Sequence, residues 1–322
     1  MSKKAESYLW EEKYRPQEFS DCILPKGIKN TFDKFIEEEY LPHLILEGTP
    51  GIGKTTMLNI LADYLNMEMV IWNGSHHNGI DFIRNNFESY MMTGSMNGNR
   101  KLFVLEEADR LTTDALQAMK KPLEDYSNNC SVIMTTNNYD TLIQKCGDDA
   151  ILSRMDKISF NYTSKQKKEI AVPAIKRVFK ILKEESIEFD QKNKSLQSFI
   201  VNTLPDFRSV LKLLRRHVIE NNNTVTDSIV DCIPKKLDKD LLMKIINSKH
   251  EEIASFAETE SSTKIFSWIG RNILEFTTNI NTITRVYNAL IYHENLDKNN
   301  VIKINNMITF FYNLKQILNS EK

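Results

Sequence analysis

The chain has 322 residues, 41% hydrophobic and 26% charged, with a formal net charge of −1, a length that accommodates two or three domains with cores of their own. So balanced a charge excludes nucleic-acid binding driven by bulk basicity; such a partner would need a local cluster, or a ring of subunits, to supply the positive field. No apolar run approaches the roughly 18 residues that span a bilayer, no apolar leader follows the basic opening Met1-Ser2-Lys3-Lys4, and Cys22, Cys130, Cys146 and Cys232 form no C-x-x-C pair, so the expectation is a membrane-free intracellular protein with free thiols.

Up to about residue 160, short apolar runs alternate with helical patterns. Residues 43–47, 69–72, 101–105 and 131–135 predict buried strands, with helices over 55–65 and 112–126 between them. Strand alternating with helix predicts a parallel sheet covered on both faces. From about residue 163 the strand signals stop. Residues 165–185, 194–203 and 206–220 predict helices, and Asn221-Asn222-Asn223-Thr224 predicts a linker. Residues 227–318 are again helical in pattern, with polar interruptions near Ser261-Ser262 and at 297–300. The expected organisation is an α/β domain over 1–162, a small helical domain over 163–224 and a helical C-terminal domain over 225–322.

The sharpest local signal is Gly48-Thr49-Pro50-Gly51-Ile52-Gly53-Lys54-Thr55, a complete G-x-x-x-x-G-K-[ST] run between a predicted strand and a predicted helix. Of the chain's 10 glycines, three fall in this stretch, where they let successive N–H groups turn inward toward a phosphate. Lys54 is expected to reach the β and γ phosphates and Thr55 to ligate magnesium. Thr49, Pro50, Gly51, Ile52, Gly53 and Thr56 complete the expected nucleotide contacts. A second element, Leu102-Phe103-Val104-Leu105-Glu106-Glu107, is an apolar strand ending in acids. Glu106 is placed to hold the metal and Glu107 to orient or deprotonate the attacking water. Asn137, after the next strand, is a candidate for the γ-phosphate or that water. Asn137-Asn138-Tyr139-Asp140 lacks the lysine of a guanine-reading N-K-x-D, which favours ATP.

Four further stretches narrow the reading. Trp10-Glu11-Glu12-Lys13-Tyr14-Arg15-Pro16 resembles the W-x-E-K-Y-R-P box of clamp-loader subunits, and residues 73–84 resemble their N-x-S-x-x-x-G-I-D-x-x-R segment. Leu152-Ser153-Arg154 matches their Ser-Arg-Cys motif except at Met155, and Pro205-Asp206-Phe207-Arg208 matches the segment carrying their second sensor. Over residues 10–208 the chain thus resembles the AAA+ sliding-clamp-loader ATPases of the replication factor C small-subunit family, including their T-even-type phage members.

The resemblance implies an α/β P-loop AAA+ domain, a helical lid and a helical collar, acting in a pentameric ring with other loader subunits. Its partners would be a sliding clamp and primer–template DNA, its ligands ATP and Mg2+, and its setting the cytoplasm, that of the host cell if the chain is phage-encoded. Tyr14, Arg15, Pro16 and Ile23 would line the adenine pocket. Asn137 would be the first sensor and Arg208 the second, with Arg154 an arginine finger serving a neighbour's ATP. Gly79, Ile80 and Arg84 would meet template phosphates, and Leu111 and Thr112 would begin the helix that faces the clamp.

Some positions depart from the family pattern. Glu106 stands where Asp is usual, so hydrolysis is expected to be slow or the strand to end earlier. His76-His77-Asn78 replaces acids and a basic switch residue, and Lys120-Lys121 replaces an arginine pair. Pro122 is expected to kink or end its helix, and residues 145–150 form an insertion. The competing readings are another AAA+ DNA motor and an ATP-binding scaffold with little hydrolysis.

Overall fold

In the computed structural model, residues 9–76, 78–95, 98–147, 151–233, 237, 239–299 and 303–320 are described. They form two compact units, Met1–Ile233 and Pro234–Lys322.

The first unit is built on five parallel strands, β1 (Leu44–Glu47), β2 (Met69–Asn73), β3 (Lys101–Glu106), β4 (Cys130–Thr136) and β5 (Asp156–Ser159), in the order β2-β3-β4-β1-β5. Side chains alternate across a strand, and the core divides accordingly. Leu44, Leu46, Leu102, Val104 and Ile133 enter one apolar cluster, while Ile45, Phe103, Leu105, Val132 and Met134 enter the other. Both faces of β1, β3 and β4 are thus buried, which is why they read as continuous apolar runs. The first four strands lie where the sequence predicts them, but β2, at the sheet edge, is only partly buried, with Ile71 exposed. β5 was not predicted, because Asp-Lys-Ile-Ser carries one apolar residue in four and sits exposed at the edge. Main-chain bonds from Asp156 N to His43 O (2.9 Å) and from Phe160 N to Glu47 O (2.7 Å) bracket it.

Several helices follow from local chemistry. Ser164–Glu184 opens with a capping box between Thr163 and Gln166. Thr113–Asp125 is capped by Thr112, and Phe207–Glu220 by Asp206. Pro122 does not immediately end its helix, which runs on to Asp125. The proline lies in the last turn, where its missing N–H removes one bond from a helix about to end. Helices Lys26–Glu37 and Tyr139–Cys146 were not predicted.

The helices Ser164–Glu184, Lys194–Thr203 and Phe207–Glu220 share the first apolar cluster with the sheet, through residues such as Ile170, Phe199 and Leu211. The expected linker is a turn: Glu188 N bonds Asn223 O (3.1 Å) and Val225 N bonds Glu188 O (2.9 Å). Val225 and Ile229 are buried in the same cluster, so the first unit extends to Ile233, nine residues beyond the expected boundary after 224.

The second unit contains Lys239–Asn247, His250–Thr259, Ser262–Arg271, Ile273–Phe276, Ile280–Asn299 and Lys303–Asn319. Their core centres on Phe256, Phe266, Phe310 and Phe311. The helix Ile280–Asn299 runs through most of the interruption expected at 297–300; residue 300 lies outside the described residues. A buried polar chain crosses this unit. Asn306 bonds the His293 ring (2.6 Å), the His293 carbonyl (2.8 Å) and Asp297 (2.8 Å); Asn313 bonds the other His293 nitrogen (3.0 Å), and Ser262 bonds Asp297. Among the described residues no helix is long and apolar enough to cross a membrane.

Candidate active site

The C-terminal tips of β1, β3 and β4 come together at one edge of the sheet, with Glu47 in register with Thr136 and Leu105 with Met134. The chain leaves β1 into the glycine loop and enters the helix Lys54–Tyr64. Gly51 has a φ of +80°, and a β-carbon there would lie 2.7 Å from Cγ of Asp206, with Oδ1 closer still. Only glycine lets the loop approach the start of the helix Phe207–Glu220 this closely.

Lys54 is 9% exposed and folds back on its own loop. Its ammonium donates to Gly48 O (2.5 Å) and Thr49 O (3.0 Å) and reaches Asn137 Oδ1 (3.4 Å). Burial pushes its pKa down to about 8; the Glu106 charge opposes the shift and Arg208 adds to it. A buried cation resting on main-chain carbonyls, beside a second cation, suits a site that receives an anion.

β3 runs through Glu106 and does not end early. The longer acid is accommodated in place: Thr55 Oγ1 donates to Glu106 Oε1, joining the two residues expected to hold magnesium. Among the described residues no group of three or more His, Cys, Asp or Glu could hold a metal by itself. A cation here would complete its shell with phosphate and water oxygens, as magnesium in nucleotide sites does.

Glu107 follows in the left-handed region at φ +54°, a conformation that costs a non-glycine residue about 1 kcal/mol or more and turns its side chain out of the strand direction. Ser75 Oγ donates to its Oε2. Gly74 makes this possible, since a β-carbon there would lie 2.6 Å from the Glu107 carbonyl oxygen. Behind the pair, Thr136 Oγ1 donates to Asp109 (2.7 Å), and Lys145 donates to the carbonyls of Asp109 (2.7 Å) and Leu111 (3.0 Å).

One polar cavity is lined by Pro50, Gly51, Ile52, Gly53, Lys54, Thr55, Thr56, Glu106, Glu107, Asn137 and Arg208. Through Gly51, Gly53, Thr56 and Arg208 it adjoins a more apolar one, whose walls include Tyr14, Arg15, Pro16, Ile23 and Leu24 from the N-terminal segment and Arg177 and Leu211 from the lid helices. Most of the expected nucleotide-site residues therefore converge: a charged end with two cations and two acids, and an apolar end of aromatic and aliphatic side chains. Thr49 contributes the carbonyl that accepts from Lys54.

Other expected residues lie elsewhere. Arg154, in a short 3-10 turn after residue 151, pairs with Glu124 of the helix Thr113–Asp125 at 2.7 Å and lines neither cavity. Gly79, Ile80 and Arg84 lie on the β2 side; Gly79 precedes the short helix Ile80–Phe82, and Arg84 is exposed in the π turn Ile83–Phe87. Leu111 is fully buried. His77 and residues 148–150 of the expected insertion lie outside the described residues. Sequence reasoning did not single out Ser75, Lys145 or Glu185. Their partners are 32, 36 and 171 positions away, beyond any local spacing rule.

Comparison with known proteins gives the family of the chain. Residues 44–161 match the family model described as ATPase family associated with various cellular activities (AAA). The sliding-clamp-loader large subunit of Escherichia phage RB69 is 33% identical over 216 residues, which span 66% of this chain and 65% of that relative. That of Enterobacteria phage T4 is 28% identical over 82% of this chain and 89% of its own. The replication factor C small subunit of Methanosphaera stadtmanae is 30% identical over 74% and 71%. Among solved structures, the RuvB Holliday junction branch migration motor of Thermotoga maritima superposes with a TM-score of 0.51 over 73% of this chain and 80% of its own, at 18% identity, a likeness of fold.

Proposed function

Given that the chain belongs to the AAA-family clamp-loader ATPases that include the replication factor C small subunits, we propose that it uses ATP to open a sliding clamp and place it on primer–template DNA, as one subunit of a pentameric ring. The observation that carries the reading is the shared cavity of Lys54, Arg208, Glu106, Glu107 and Asn137 beside a more apolar pocket walled by Tyr14, Pro16 and Ile23.

In this mechanism Lys54 exchanges its Gly48 and Thr49 carbonyl contacts for phosphate oxygens. Thr55 and Glu106 would hold Mg2+, which would supply charge neutralisation at the phosphates. Glu107 orients and deprotonates the attacking water, with Ser75 fixing the carboxylate. Asn137 and Arg208 report the presence of the terminal phosphate, from β4 and from the lid. Tyr14, Arg15, Pro16 and Ile23 enclose the adenine. Arg154 serves an adjoining subunit's nucleotide, a role supported by its place outside its own cavity. Gly79, Ile80 and Arg84 meet DNA phosphates, and the helix Thr113–Asp125 faces the clamp.

The test is the ATPase rate of the purified chain, assembled with its partner subunits, measured alone, with primer–template DNA, and with DNA plus a candidate sliding clamp. DNA and clamp together should raise the rate at least tenfold, and Lys54→Ala should abolish it. A Lys54-dependent rate indifferent to both additions would reject the loader reading while leaving the ATPase intact.

A further inference from the structure

The N-terminal segment that walls the apolar pocket is tied to the lid at three points. Glu169 Oε1 accepts Lys26 N–H (2.9 Å), Arg177 donates to Asp21 (3.4 Å), and Glu185 Oε1 accepts both the Tyr14 hydroxyl and the Lys13 ammonium at 2.6 Å each. The lid partners advance along the chain, at 169, 177 and 185, as the N-terminal partners recede. The segment therefore lies antiparallel along the helix Ser164–Glu184. A fourth contact joins it to the helix Phe207–Glu220, where Arg215 lies 5.5 Å from the Trp10 ring.

The Glu185 tie is the most concentrated of these. Tyr14 is 9% exposed, packs edge-on against Trp10 and sends its hydroxyl to a single oxygen. Burial, and then the bond to Glu185, push the phenol pKa upward, so it remains a donor. Burial acts to raise the Glu185 carboxyl, but the bonds from Lys13 and Tyr14 outweigh it and hold the group below its ordinary value. Immediately afterwards Ser186 adopts φ +55°, and Ile187 N returns to Leu182 O (2.9 Å), a left-handed helix ending that fixes where Glu185 points.

We propose that Glu185 is the positioning residue of the base site: by holding Tyr14 and Lys13 at the end of the lid helix, it makes the N-terminal segment and the lid one piece that closes on the purine ring. This rests on the reading of the apolar pocket as the adenine site. No atom of Glu185 needs to touch the nucleotide. The phosphate half of the cavity is built mainly from the glycine loop and strand tips, and its lid contribution, Arg208, comes from the helix Phe207–Glu220 and not from the helix that ends at Glu185.

The test compares ATP with inorganic tripolyphosphate, which lacks the base, on the full chain and its Glu185→Ala, Glu185→Gln, Tyr14→Phe and doubly substituted forms. Removing a charged hydrogen-bond partner is expected to weaken ATP binding about tenfold. Tripolyphosphate affinity should change less than twofold, and in turnover KM should rise while kcat falls less than twofold. Glu185→Gln, whose amide oxygen still accepts from Tyr14, should fall between parent and Glu185→Ala. The double variant should bind no more weakly than Glu185→Ala, because both changes break one contact. Equal losses for ATP and tripolyphosphate, or unchanged ATP binding by folded Glu185→Ala, would overturn the assignment. Should Glu185→Ala fail to fold, Glu185→Gln and Tyr14→Phe carry the same comparison. A parent that binds tripolyphosphate as tightly as ATP would instead remove the adenine reading, and the assignment with it.

Discussion

Replacing Gly51 by alanine should damage the protein through Asp206, on a different element 155 positions later. At φ +80° an alanine incurs the left-handed penalty of about 1–2 kcal/mol. Its methyl group would also overlap the Asp206 carboxylate, which must rotate away. That carboxylate now accepts Ser209 N–H (3.0 Å) and Ser209 Oγ–H (2.6 Å), capping the helix Phe207–Glu220. Losing the cap costs a further ~1 kcal/mol, so unfolding free energy should drop by roughly 2–3 kcal/mol in urea titrations. Arg208 occupies the uncapped turn, so ATP affinity should fall at least tenfold. Adding Asp206→Ser to Gly51→Ala shortens the obstructing group while keeping a good cap, and should recover about 1 kcal/mol. Gly51→Ala with stability within about 0.5 kcal/mol of the parent and normal ATP binding would refute the reasoning.

His43 gives a pH signature. Burial lowers its pKa to about 4, against an ordinary 6.5, while the ring accepts Val132 N–H (2.9 Å). The unfolded chain therefore holds more protons between those values, so the stability contribution is full above pH 6.5 and is lost as pH falls toward 4. Between pH 7 and pH 5 the loss is about 2 kcal/mol, measurable as a urea-midpoint shift that His43→Gln should abolish. Glu107→Gln should retain ATP binding and stop turnover, whereas Glu106→Asp should match or exceed the parent rate if Thr55 keeps its partner. A steep loss in Glu106→Asp would show a site built around the longer acid. Mixing Arg154→Ala with Lys54→Ala subunits, each nearly inactive alone, should restore part of the ATPase rate, because some interfaces then pair an intact Arg154 with an intact Lys54; an inactive mixture that assembles normally would end the trans assignment.

What the sequence made legible depended on locality. The glycine loop, the acids ending β3 and the three interior strands β1, β3 and β4 each announce themselves within about ten residues, because burial on both faces and tight turns leave compositional marks. β5 left none, since only one of its four residues is apolar, whereas β2 at the opposite edge still carries Met69, Val70, Ile71 and Trp72. Pro122 sits in the last turn of its helix, where a proline removes one bond and need not stop the helix at once. The boundary at Ile233 was missed because the asparagine run looks like a linker, although its backbone pairs with Glu188. The contacts that finish the site, Ser75 on Glu107 and Glu185 on Tyr14, are tertiary facts: serines and glutamates are common everywhere, and only the folded chain says which one has a partner.

Two helices packed solely through aliphatic side chains can slip by a turn and still bury grease on grease. Ile280–Asn299 and Lys303–Asn319 are denied that freedom by the chain of polar groups between them. A shift of one turn, 5.4 Å, would pull Asn306 away from Asp297 and leave both nitrogens of the His293 ring without partners. Each stranded group would cost about 1–3 kcal/mol, and His293 and Asn306 are 1% and 7% exposed, too deep for water to compensate. The pair thus has one vernier setting. On the outer side of the first helix, Ile280, Tyr287 and Ile291 are 75%, 41% and 57% exposed. Their height against the neighbouring helix is fixed by the same polar teeth, so that outer ridge keeps a constant gauge.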